Sequence, residues 1–79
     1  MNNRDKYNKI FIEVLGVEDN KLDENLTYQS IPAWDSVGHM SLISSIEESF
    51  DIMMDTDDII EFNSYEKGME ILRKYDIEF

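Results

Sequence analysis

A chain of 79 residues, 42% hydrophobic and carrying a net charge of −11 at pH 7, encloses one small core, so neither a second domain nor a deep enzyme cleft is expected. Having no cysteine, it forms no disulfide, no catalytic thiolate and no cysteine-ligated zinc or iron–sulfur centre. The opening MNNRDKYNKI is too polar for a secretory segment and no apolar run approaches the ~20 residues that cross a bilayer, which points to a soluble cytoplasmic protein.

In chain order, Tyr7, Ile10, Phe11, Val14 and Leu15 recur at helical spacing and Gly16 supplies a stop, predicting a first helix from Asn3 to Leu15. From Gly16 to Asp35 no helical period persists, but Leu22, Leu26, Tyr28, Ile31 and Trp34 are spaced so as to pin a long loop to a core. Loops of this length in small domains are more often functional than idle, and this one has room for a short helical turn.

Pro32 and Asp35 announce the second helix, with Asp35 as its N-cap and Ser36 in the first helical position. Its inward stripe reads His39, Leu42, Ile43, Ile46 and Phe50, while Val37, Ser41, Ser44 and Glu48 share the spacing with small or polar chemistry and face outward. After an extended DIMM segment, Thr56 is expected to cap a short helix. Asp57 and Asp58 in its first turn suit the positive end of the helix dipole, and Ile59, Ile60 and Phe62 form its apolar side.

Asn63 and Glu66 read as a capping box opening the last helix, whose stripe is Tyr65, Met69, Leu72 and Tyr75. Gly68 on that stripe costs about 1 kcal/mol of helix propensity relative to alanine, which close packing against a neighbour would offset. No segment alternates with period two. The expected class is therefore all-α, a four-helix bundle of three long helices and one short, with a long loop between the first two long helices and one domain over residues 1–79.

Charge is distributed unevenly along this plan. All seven cations (Arg4, Lys6, Lys9, Lys21, Lys67, Arg73 and Lys74) lie toward the ends, and none occurs from Leu22 to Glu66. That middle stretch holds eleven acids, whereas the flanks balance seven acids against seven bases, so the middle accounts for the whole excess. Such a field repels nucleic acid and anionic lipid and steers basic protein surfaces toward it; its plainer role is to keep a small protein soluble.

Few residues offer chemistry. Asp35, Ser36 and His39 supply the residue types of a hydrolytic triad, but adjacent helical positions diverge by about 100° and cannot both address one imidazole in relay order. There is no G-x-S-x-G elbow, and His39 at the edge of an apolar stripe reads as a half-buried packing residue. The DTDD run from Asp55 lacks the later ligand and glycine of an EF-hand, at Ile59 and Ile60, so no metal site is expected beyond diffuse attraction of divalent cations. Met53 and Met54 read as core fillers. Ser36 remains: a hydroxyl in the first turn of a helix stands beside unpaired backbone N–H groups, a place that helps cap the helix and also favours an attached phosphate.

The segment WDSVGHMSLISSIEESFDI resembles the D-S-L signature and following helix of acyl carrier proteins, small acidic four-helix proteins whose serine takes a 4′-phosphopantetheine arm from coenzyme A. The resemblance extends over nearly the whole chain, through LGV at the end of the first helix, the long loop, the D-S start, EESF, a short acidic helix and a final helix. It implies that Ser36 is the attachment site, preceded by the family's aspartate as Asp35, and that a phosphopantetheinyl transferase is a partner.

It further implies docking of basic enzyme patches on the second helix, through Val37, Met40, Ser41, Ser44, Glu47 and Glu48, and on Asp57 and Asp58 near the third. Ile43, Ile46, Phe50 and Met54 correspond to core positions. Gly38, Ser41 and Ile60 stand where fatty-acid carriers have acids, and Ser44 replaces an exposed hydrophobic residue. This form looks more like a discrete carrier of a specialised pathway, amino-acyl carriers included. The expectation is then a monomer without turnover of its own, served by an acyl- or aminoacyl-loading ligase and a downstream transferase or synthase, and binding neither nucleic acid nor membrane. The alternative is an acidic helical protein-interaction module that never carries the arm.

Overall fold

Helix α1 (Asn3–Leu15) starts where the Asn2 side chain accepts the Asp5 N–H, and ends where Gly16 turns left-handed at φ 67° and returns its N–H to the Ile12 carbonyl. These bounds coincide with the sequence expectation. The computed structural model describes residues 2–79 and adds a 3-10 turn at Asp19–Lys21, then α2 (Ser36–Phe50), α3 (Thr56–Glu61) and α4 (Tyr65–Arg73). The protein is an all-α four-helix bundle with no strand among the described residues.

Tyr7, Ile10, Phe11 and Leu15 of α1 meet Leu42, Ile43 and Ile46 of α2 in one core, closed from the other side by Phe62 and by Tyr65, Met69, Ile71 and Leu72 of α4. Burying each large side chain of this kind contributes about 1.5–3 kcal/mol. Tyr7 keeps its polar end satisfied by donating to the Tyr65 carbonyl at 2.7 Å, and burial pushes its phenol well above the ordinary value. Gly68 lies against this pair. A β-carbon there would run into the Tyr7 hydroxyl and the Phe62 ring, which is the close packing that offsets its poor helix propensity.

The long loop is anchored as its apolar spacing predicts. Leu26 and Trp34 are buried, and Leu22, Tyr28 and Ile31 pack against the core. It is also stitched to the α3–α4 connection: Thr27 pairs with Ser64 in an isolated bridge, Tyr28 N–H donates to the Asn63 carbonyl at 2.8 Å, and Tyr65 N–H donates to the Leu26 carbonyl at 2.9 Å.

Several local expectations are corrected. Ser64, not Asn63, caps α4, accepting the Lys67 N–H, because the Asn63 carbonyl is engaged by Tyr28 and Ser64 has the extended backbone of a cap. Thr56 is the first residue of α3 rather than its cap; Asp55 holds that place without a side-chain capping bond. Met54 is core, but Met53 is 86% exposed, and Ile60 points outward at 71% exposure while Phe62 is buried. Phe50 is partly buried, and the Lys6 ammonium lies 4.7 Å from the centre of its ring.

Candidate functional site

The site is built on the start of α2. Asp35 has an extended backbone, and its Oδ1 accepts the Gly38 N–H at 2.8 Å, so the cap expected from sequence is formed. Ser36 follows as the first helical residue and is exposed. Its Oγ lies 3.2 Å from the Tyr28 hydroxyl, which reaches it from the long loop.

Close packing fixes this turn. A β-carbon on Gly38 would overlap the Ala33 carbonyl oxygen, so the chain doubles back against the helix where only glycine fits. Trp34 is fully buried between these segments and donates its indole N–H to His39 Nδ1 at 3.0 Å, the two rings lying nearly parallel. Because Nδ1 accepts, the imidazole proton is on Nε2, which donates to the Ile59 carbonyl at 2.8 Å. His39 is thus the half-buried packing residue expected, and it ties α2 to α3. Both nitrogens are occupied and Asp35 is committed to its cap, so the three triad residue types form no relay.

Beside Ser36 opens a cleft of about 350 Å³ lined by Tyr28, His39, Met40, Ile59, Ile60, Phe62 and Asn63. Its walls are mainly apolar, and Ser36 is itself one of the residues that line it. A group attached to the serine oxygen would have both solvent and this cleft open to it.

Along α2, the outward residues Val37, Met40, Ser41, Ser44 and Glu48 are all exposed as expected, Val37 by 76%, and a second, shallow depression runs past Ser36, Val37, Ser41 and Ser44. Glu47 is only partly available, since its Oε2 accepts the Met54 N–H at 2.9 Å and closes the turn after α2. Asp57 is exposed.

Asp58 is a correction. Expected as a partner-facing acid, it is buried, with one carboxylate oxygen 2.5 Å from Lys74 Nζ and the other accepting the Tyr75 hydroxyl at 2.6 Å. The hydrogen bond from Lys74, and then that from Tyr75, hold its carboxyl below the ordinary aspartate value. Among the described residues, no group of three or more acids and histidines is gathered as a metal site.

The Tyr28 hydroxyl, Gly38 and the Asp58 clasp were not found as site features from sequence. Each depends on chain segments that return from elsewhere, and only the eight-residue separation of Tyr28 from Ser36 in a functional-looking loop offered a signal. Among the described residues, no helix is long and apolar enough to cross a membrane. Comparison with protein-family models, curated proteins and solved structures finds no match for this chain.

Proposed function

We propose that this protein is a discrete cytoplasmic carrier that holds an acyl or aminoacyl intermediate on a 4′-phosphopantetheine arm attached to Ser36. The observation that carries the reading is an exposed hydroxyl on the first residue of a 15-residue helix, on a serine that lines an apolar cleft. A primary alcohol free to reach a transferase is the chemistry the attachment needs, and the cleft leaves room for a tethered group to fold back; the residues present therefore fit the arm.

When bound, the arm supplies a terminal thiol that carries cargo as a thioester, which a chain without cysteine cannot do with its own side chains. The chain's residues do the presenting. Asp35 fixes where α2 begins, and the packing of Gly38 on Ala33 and of Trp34 on His39 holds that turn in place. Ser36 is thereby kept outward, while Val37, Met40, Ser41, Ser44 and Glu48 give partner enzymes a face continuous with the attachment point. Excess acid draws in basic surfaces, those of a phosphopantetheinyl transferase, a loading ligase and a downstream transferase or synthase. Tethering raises the effective concentration of the intermediate at each docked enzyme, so the carrier needs no turnover of its own.

The test is intact mass after incubation with coenzyme A and a broad-specificity phosphopantetheinyl transferase. The wild type is expected to gain one phosphopantetheine and Ser36→Ala none. An unmodified wild type contradicts the proposal and leaves the acidic interaction module in its place.

A further inference from the structure

We infer that Tyr28 is the second residue of the arm site: its hydroxyl donates a hydrogen bond to the phosphodiester on Ser36 and anchors the root of the arm beside the cleft. This rests on the carrier reading of Ser36 and assigns a role to a loop residue outside the α2 segment. Tyr28 Oη lies 3.2 Å from Ser36 Oγ, and both residues line the same cleft.

The phenol is held there rather than swinging freely. The Tyr28 backbone N–H is bonded to the Asn63 carbonyl at 2.8 Å, and its ring packs edge-on against His39 at 5.5 Å and Trp34 at 6.5 Å between centroids. Those two rings are themselves joined by the indole–imidazole hydrogen bond. A placed donor loses less entropy on bonding than a mobile one.

Proton accounting fixes the direction of the bond. In the unmodified protein either hydroxyl can donate to the other. In the transfer, Ser36 Oγ forms a bond to the β-phosphorus of coenzyme A, the bond from that phosphorus to the 3′,5′-ADP leaving group breaks, and the serine proton passes to a base of the transferase. Oγ then has no proton to give, so the contact survives only with Tyr28 donating, either to Oγ or to an anionic oxygen on the phosphorus bonded to it. Donation to an ionised oxygen makes a stronger bond than donation to a neutral one. It also offsets part of the repulsion from placing another negative charge on a chain already at −11.

The test compares wild type with Tyr28→Phe, which keeps the ring and its packing and removes only the hydroxyl. Both proteins are converted to the arm-bearing form with transferase and coenzyme A, then read by 31P NMR and by thermal melting before and after conversion. The 31P resonance is expected to differ between them, and the change in folding equilibrium on modification to be about three- to tenfold more favourable in the wild type. Identical 31P shifts together with identical melting changes in the two converted proteins would overturn the role of Tyr28 while leaving Ser36 as the attachment site. A wild type that accepts no arm at all overturns both.

Discussion

A methyl group on residue 38 has nowhere to go, because the Ala33 carbonyl oxygen occupies its place. Gly38→Ala therefore pushes the Ala33–Asp35 segment off the helix start, loosening the Asp35 cap and the setting of Ser36 together. It is expected to cost about 1–3 kcal/mol despite alanine's better helix propensity, and to slow transferase modification of Ser36. A melting curve and a modification time course check this; a variant as stable as the wild type and as quickly modified contradicts it. At this scale Asp35 and Ser36 were legible because a helix cap is a rule about neighbouring residues. The constraint on Gly38 is not visible in sequence, since it comes from a backbone that returns over it, and the Tyr28 hydroxyl is hidden for the same reason.

Helix α3 has six residues, far too few to persist by itself, and is held by contacts to its neighbours. The His39 imidazole bonds the Ile59 carbonyl from α2, Lys74 and Tyr75 clasp Asp58 from the end of α4, and the Tyr75 hydroxyl accepts the Asp55 N–H. Since folding depresses the Asp58 pKa, the clasp's stabilisation is fully present above the unfolded aspartate pKa of about 4 and is lost as pH falls through that value toward the lowered folded one.

Asp58→Asn is expected to lower the melting temperature at pH 7 and to shrink the further loss on acidification. Melting from pH 7 down to 3 tests this, and parallel curves for the two proteins contradict it. Sequence placed α3 nearly correctly from its first-turn acids but read Asp58 as solvated, because its partners lie sixteen and seventeen residues further on, beyond any helical period. In the same way Ser64 displaced Asn63 as a cap because the long loop uses the Asn63 carbonyl.

Across the whole molecule, amphipathic periodicity sufficed for the fold class and for the bounds of α1 and α2, since a 3.6-residue stripe records which face is buried. The apolar anchors of the long loop are legible in sequence, but its stitching to the α3–α4 connection is not, because that rests on the bridge between Thr27 and Ser64 and a few backbone bonds. Charge was legible as an excess and the structure leaves it largely uncompensated: among the described residues, the ion pairs are Lys9 with Glu13 and Lys74 with Asp58.

Screening should relieve the repulsion among the remaining acids, so added salt or magnesium is expected to raise the melting temperature by several degrees. A temperature that stays flat or falls with salt contradicts this. The most direct measurement of what the protein does is peptide-level mass spectrometry of the chain purified from its native cell. A phosphopantetheine increment confined to the peptide containing Ser36, with or without cargo on its thiol, is the predicted result; a serine unmodified throughout the population, or an increment on another serine, contradicts it.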